Sequence, residues 1–229
     1  MIIKYDRDFK FIYKDSNELI IPDNIKEKVD NYFKEYIKTC DEYWDGDIFI
    51  VTNLYLNNGI IEIGKTKYSS LVYAKKNKDL EIKPLFATIL LSTLDNKYLI
   101  VKNNHDCINL IGGLADKEDF INNQFCPDLC IRREVLEEIG IDLNDANQVL
   151  NYNMKYLKVP TNDENYYTIG VFFTGTLNYT SDEFRKYVEC NKFDGEIKEY
   201  YFYSREECLK LELTEQDVSY LKEFILMEQ

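Results

Sequence analysis

Apolar residues first recur at helical spacing at Ile25, Val29, Tyr32, Phe33, Tyr36 and Ile37, with Lys and Glu between them. This stripe predicts a core-facing helix from Pro22-Asp23 to about Thr39. The period then changes. Asp47 to Leu56 and Ile60 to Gly64 are rich in β-branched and aromatic residues and flank Asn57-Asn58-Gly59, which predicts a hairpin. Ser69 to Ala74 reads as another short strand. Asn77 to Pro84 is polar and marks a candidate boundary near residue 80. Beyond it come strands at Leu85 to Thr93, Tyr98 to Lys102 and Ile108 to Ile111, with a turn at Asp95-Asn96. The last strand closes on Gly112-Gly113. A helix is predicted over about 128–139, then strands near 149–158, 167–177 and 197–203. Ser204-x-x-Glu207 and Thr214-x-x-Asp217 have the spacing of helix starts, the first closest to a capping box. A final helix covers about 215–227. The order predicts an α/β (α+β) domain over 81–229 behind a small α+β extension over 1–80.

Composition narrows the class. At 229 residues, 45% apolar with 19 Tyr and 13 Phe, the chain can bury an ample core. No apolar run approaches the ~18 residues of a membrane span. The start, Met1 to Asp8, lacks the long apolar run of a signal peptide. The expectation is a cytoplasmic protein with no membrane partner. Cysteines 40, 107, 126, 130, 190 and 208 include no Cys-x-x-Cys pair, and His105 is the one histidine. Free thiols in a reducing compartment fit better than zinc.

The net charge of −13 is unevenly placed. Residues 1–80 carry 13 basic and 14 acidic side chains, and residues 81–229 carry 15 and 27. Such a surface repels DNA, RNA and anionic lipid. It also repels a diphosphate unless divalent cations stand between.

Arg133-Glu134-Val135-Leu136-Glu137-Glu138-Ile139-Gly140-Ile141 is where those cations would bind. At 100° per residue, Glu134, Glu137 and Glu138 share one helical patch, while Val135, Leu136 and Ile139 turn to the core. Clustered like charges cost stability unless a cation offsets them. Carboxylate oxygens suit Mg²⁺ or Mn²⁺.

With Gly112-Gly113 upstream, the stretch resembles the Nudix box, which runs from a glycine, through a glutamate, to Arg-Glu-apolar-any-Glu-Glu-any-Gly-apolar. Residues 133–141 match its second half at every fixed position. The first half departs from it. Ile111 replaces the usual proline, and the loop is lengthened across Phe120 to Cys126 before Pro127. Aligning on Gly113 puts Asp119 at the early acidic position, and aligning on Gly112 puts Glu118 there. The segment from Trp44 to Tyr68 resembles the N-terminal extension of Nudix enzymes similar to UDP-sugar diphosphatases. It reads equally as a structural or homodimerisation element.

The resemblance implies a Nudix α/β/α sandwich with a mixed sheet. It implies a Mg²⁺- or Mn²⁺-dependent pyrophosphohydrolase acting on a nucleoside diphosphate linked to another moiety, such as a nucleotide sugar. ADP-ribose and dinucleoside polyphosphates stay open as substrates. Glu134, Glu137 and Glu138 are the implied metal ligands, with Glu134 completing the coordination or accepting a proton from water. Arg133 orients the glutamates, and Gly112 and Gly113 approach the phosphate or metal. Glu196 is the candidate for a further downstream acid, with Glu199 in reserve. Tyr152, Tyr156, Tyr166 and Tyr167 are candidates to stack on a base, Tyr156 being the one assigned to the substrate, and in a chain with 19 tyrosines each also reads as core or surface packing. His105 reads as an incidental loop residue. The alternative is a non-catalytic, nucleotide-sensing Nudix module. The three helix glutamates and the absence of a basic domain weigh against it.

Overall fold

The computed structural model describes residues 2–5, 9–39, 44–159, 169–191, 193, 195–214 and 220–228. Strands β1 (Ile2–Lys4) and β2 (Lys10–Tyr13) precede helix α1 (Asp23–Tyr36), which buries Ile25, Val29 and Phe33 from the predicted stripe. Strands β3 (Asp47–Tyr55) and β4 (Ile60–Lys67) form the predicted antiparallel hairpin. Gly59 closes it at φ 64°, a left-handed turn position that glycine fills without strain.

Helix α2 (Tyr68–Ala74) stands where the pattern predicts a strand. Ser69 to Tyr73 are all buried, so the run shows no amphipathic period. A short, wholly buried apolar run looks the same in a strand and in a helical turn. The Ser69 N–H donates to Asp45 Oδ1 at 2.7 Å, satisfying one of the donors that a helix start leaves open.

Strands β5 (Leu85–Ser92) and β6 (Tyr98–Asn103) follow as predicted. The predicted strand over 108–111 is instead two, β7 (Ile108–Asn109) and β8 (Ile111–Leu114). β7 pairs with β6 and β8 with β5, so Leu110 marks a change of partner. Gly112 and Gly113 lie inside β8 rather than after it. The lengthened loop holds a small hairpin, β9 (Phe120–Ile121) and β10 (Gln124–Phe125), ahead of helix α3 (Pro127–Ile139). Then come β11 (Val149–Lys158), β12 (Ile169–Leu177), α4 (Ser181–Cys190), β13 (Ile197–Tyr203), α5 (Arg205–Lys210) and α6 (Leu221–Met227). The capping box at Ser204 and Glu207 starts α5 as its spacing predicts. Helix α4 is not in the sequence reading, although Thr180 and Glu183 form an equivalent box. The predicted beginnings of strand 167–177 and helix 215–227, and Tyr166 and Tyr167, lie outside the described residues.

The larger sheet has the order β1-β11-β12-β5-β6-β13, with β8 also on β5 and β7 on β6. β12 and β5 run parallel within otherwise antiparallel pairings. Along β5, Leu85, Ala87, Ile89 and Leu91 enter one core, and Phe86 and Leu90 the other. Helices α3 and α4 cover the first face with Ile131, Val135, Ile139, Phe184 and Val188. Helices α5 and α6 cover the second with Cys208, Leu221, Phe224 and Ile225. The chain is thus an α/β protein with helices on both faces of a mixed sheet.

A smaller sheet, ordered β3-β4-β2-β10-β9, adds Phe11, Phe49, Val51, Ile61 and Ile63 to the first core. Strand β1 crosses into the larger sheet, and the β9–β10 hairpin crosses into the smaller one. The polar connection around residues 77–84 therefore joins two sheets that share one core. Among the described residues, no helix is long and apolar enough to cross a membrane.

Candidate active site

Helix α3 begins on Pro127, whose missing N–H costs nothing at a first helical turn, and ends at Gly140 with φ 67°. Its buried residues include Ile131, Glu134, Val135, Glu138 and Ile139. Leu136, predicted to face the core, is 54% exposed. The core-facing arc is centred on Ile131 and Val135, and Leu136 falls outside it. Glu134 and Glu138 flank that arc where the helix meets β8, so two carboxylates are drawn in and Glu137 stays exposed.

The glycines of β8 explain how carboxylates fit there. A Cβ on Gly113 would lie 2.5 Å from the Glu134 carboxylate carbon and both its oxygens. A Cβ on Gly112 would lie 2.3 Å from the Ala87 carbonyl oxygen, and Gly112 adopts φ 141°. Gly112 is therefore required by the backbone of β5, and Gly113 by the acid opposite. The Gly112 N–H donates to Glu138 Oε1 at 3.1 Å. That donor serves the helix acid in this arrangement.

Arg133 ties the acids together. Its Nη1 lies 2.8 Å from Glu134 Oε1 and 3.1 Å from Glu137 Oε2. Its Nε and Nη2 donate to Asp119 at 3.2 and 2.9 Å, and Nη2 also donates to the Leu114 carbonyl at 3.2 Å. Of the two early acids that alignment leaves open, Asp119 is buried against Arg133, and Glu118 is exposed. Asp119 is held in turn by the Asp116 N–H at 2.8 Å, in a capping box that the Asp116-x-x-Asp119 spacing foreshadows. The Leu114 carbonyl has no such sequence signal.

Burial pushes the Glu134 carboxyl up to about 7, and the charges of Glu137 and Glu196 add to the effect against the pull of Arg133. Glu196 is the downstream acid whose charge acts on Glu134. The turn that carries it is pinned to the β6–β7 turn, where Asn104 N–H donates to the Glu196 carbonyl at 3.1 Å and the Asn104 side chain donates to the Gly195 carbonyl. Glu199 is engaged elsewhere, accepting from Tyr201 at 2.5 Å and lying 3.7 Å from Lys102. His105 sits in the exposed turn between β6 and β7.

Tyr156 is not brought to this cluster. It is 4% exposed in the second core, its ring edge-on to Phe224 and its hydroxyl donating to the Met227 carbonyl at 3.0 Å. A register shift between Met154 and Tyr156 is the cause. It turns Tyr156 away from the face that Tyr152 and Met154 share. Tyr152 packs in the first core and donates to Asp128 at 2.9 Å.

One guanidinium thus faces Asp119, Glu134 and Glu137, with Glu138 alongside. The uncompensated charge and the all-oxygen donor set suit a hard divalent cation. Among the described residues, no three acidic, His or Cys side chains are gathered at metal-ligand spacing. Glu134 and Glu137 are drawn toward Arg133, and Glu138 toward the Gly112 N–H.

No protein-family model and no curated protein matches the chain. Solved structures similar to it include a MutT protein from Methanosarcina mazei, at 17% identity and TM-score 0.42, covering 63% of this chain and 91% of that one. A Nudix hydrolase from Nitrosomonas europaea is similar at 16% identity and TM-score 0.40, over 63% and 86% of the two chains. The Nudix domain of Shewanella oneidensis NrtR, a cocrystal with ADP ribose, is similar at 15% identity and TM-score 0.39, over 63% and 88%. Likeness at this level leaves the function to be argued from this chain's own residues.

Proposed function

We propose that this chain is a Nudix hydrolase, a divalent-metal-dependent pyrophosphohydrolase that splits a nucleoside diphosphate linked to another moiety. The observation that supports this most is the reach of Arg133, which joins an acid fourteen residues upstream to two acids on its own helix. Residues of a linear motif that are only solvated would have no reason to converge on one half-buried guanidinium.

Glu134, Glu137 and Glu138 would hold the cation, with Glu196 a further acid whose charge acts on Glu134. A divalent ion there would screen the diphosphate and acidify a water. The chain's own residues do the rest. Arg133 keeps Glu134 and Glu137 in place, and the Gly112 N–H does the same for Glu138. Gly113 leaves room for the Glu134 carboxylate, which is placed to join the coordination or to take the proton from water. The excess acid lets a diphosphate approach only with its counter-cations.

A substrate panel tests this. The protein is incubated with Mg²⁺ or Mn²⁺ and nucleotide sugars, ADP-ribose, NADH, dinucleoside polyphosphates or deoxynucleoside triphosphates. Release of a nucleoside monophosphate, abolished by EDTA, is expected, with a nucleotide sugar the first substrate to try. Undiminished turnover in metal-free protein would overturn the mechanism. Tight nucleotide binding without turnover would make the chain a sensing module instead.

A further inference from the structure

The hairpin in the lengthened loop does not hang free. Gln124 of β10 pairs with Ile12 of β2, and the Tyr13 N–H donates to the Asn123 carbonyl at 2.8 Å. Phe120 of β9 enters an aromatic group on the smaller sheet. Its ring centroid lies 4.3 Å from Phe49, 5.7 Å from Tyr13 and 5.5 Å from Phe125. Phe125 in turn meets Phe11 edge-on at 5.5 Å. The residue just before Phe120 is Asp119, whose carboxylate holds Arg133 and whose carbonyl takes the Cys126 N–H at 2.8 Å. One peptide bond therefore links the aromatic group of the N-terminal sheet to the anchor of the acid cluster.

We propose that Phe120 is a positioning residue. Seated on Tyr13 and Phe49, its ring sets where Asp119 stands, and through it Arg133 and the two glutamates that Arg133 holds. The N-terminal sheet is then part of the framework of the active site. Phe120 acts through Asp119, its neighbour in the chain. The catalytic part of this inference rests on the function proposed above. The positioning part does not.

The test uses the full chain and two readouts. The first is solvent exchange of the Arg133 Nε–H, followed by NMR in metal-free protein well below its melting temperature. This proton is directed at Asp119 and needs no substrate. The second is kcat against KM on whichever substrate the panel identifies. Phe120→Ala is expected to speed Arg133 Nε–H exchange about tenfold or more and to lower kcat about 10- to 100-fold with KM changed little, since sub-ångström displacement of catalytic groups carries effects of that order. Tyr13→Ala, which removes the same seat from β2, is expected to act in the same direction, and Phe120→Leu to lie nearer wild type. Phe9→Ala, a cut in the same core with no ring contact to the hairpin, is expected to lower the melting temperature alone.

Wild-type Nε–H exchange and kcat in folded Phe120→Ala would overturn the proposal. If that variant does not fold, the same result in Tyr13→Ala overturns it. If no substrate is turned over, the exchange readout still decides the positioning, and the function fails separately.

Discussion

Asp119, 1% exposed, holds the Arg133 guanidinium by two nitrogens, at 3.2 Å from Nε and 2.9 Å from Nη2. Arg133 is half-buried and retains two glutamates, so losing Asp119 costs less than breaking a fully buried pair. Asp119→Ala is therefore expected to destabilise the fold by about 2 kcal/mol. Glu118→Ala, at an exposed position, is expected to change stability by no more than about 0.5 kcal/mol. Urea denaturation of the two variants checks this, and equal effects would count against the assignment of Asp119.

Glu137→Gln and Glu138→Gln keep the shape of the side chain and remove its charge. Gln at 138 can still accept the Gly112 N–H, so the fold should survive. Each is expected to lower kcat about 10²-fold or more, the scale of positioned charge-stabilising groups. Because Glu137 is exposed, its ion pair with Arg133 should contribute less than about 1 kcal/mol to stability. Wild-type turnover in both variants would reduce the helix face to a solvated surface.

The two glycines should fail differently. Gly112→Ala drives a Cβ into the backbone of Ala87 and Thr88 at a φ that side chains rarely adopt. A loss of about 3 kcal/mol or more is expected. Gly113→Ala meets the movable end of Glu134 instead. Its stability cost should stay below about 1.5 kcal/mol while kcat falls about 10²-fold through the displaced acid. Melting curves and single-turnover rates measured side by side separate the two. The reverse pattern would show that Glu134 is not held against Gly113 in solution.

Glu196→Gln should lower kcat more than Glu199→Gln. The charge of Glu196 reaches Glu134, whereas Glu199 is engaged with Tyr201 and Lys102. Steady-state kinetics on the two proteins decide it, and near-normal kcat in Glu196→Gln would remove that residue from the site.

Acid lability should come in part from Asp95, far from the acid cluster in sequence. Burial alone would raise its carboxyl, but the Ser181 and Thr93 hydroxyls and the Ser181 N–H hold it well below the usual carboxylate range. The Ser181 N–H lies 2.7 Å from Asp95 Oδ1, and the Ser181 hydroxyl 2.6 Å from Oδ2, joining the β5–β6 turn to the start of α4. A depressed folded-state value means stabilisation that is fully present above the unfolded value of about 3.9 and is lost as pH falls toward the folded one. Because Asp95 is about a third exposed and screened by water, Asp95→Asn is expected to cost about 1 kcal/mol or less at pH 7, with the difference shrinking by about pH 3. An undiminished difference in acid would assign the loss to shape rather than charge.

Much of this was legible from local chemistry. The α1 stripe, the Asn-Asn-Gly turn between β3 and β4, the bounds of β11 and β13 and the capping box of α5 each depend on neighbours within a few residues. Helical spacing likewise puts Glu134, Glu137 and Glu138 within one arc of α3, although among the described residues no three acids are gathered at metal-ligand spacing. What needed the tertiary structure is what depends on a partner distant in sequence. Whether Ser69 to Ala74 is a strand or a helix turned on burial from all sides. Which of Glu118 and Asp119 meets Arg133 turned on burial, since Asp119 is 1% exposed against the guanidinium and Glu118 faces solvent. Helical period assigns Leu136 to the core and the resemblance assigns Tyr156 to the substrate, and the structure places both elsewhere. For Leu136, the packing of α3 against β8 chose the buried arc. For Tyr156, one irregularity in strand pairing reversed every side chain beyond it, since a period of two keeps no memory of register once a residue is added. The sequence by itself therefore determined which acids stand on α3 beside Arg133, and the tertiary structure decided which of their neighbours hold them, because holding depends on contacts between segments that no local pattern encodes.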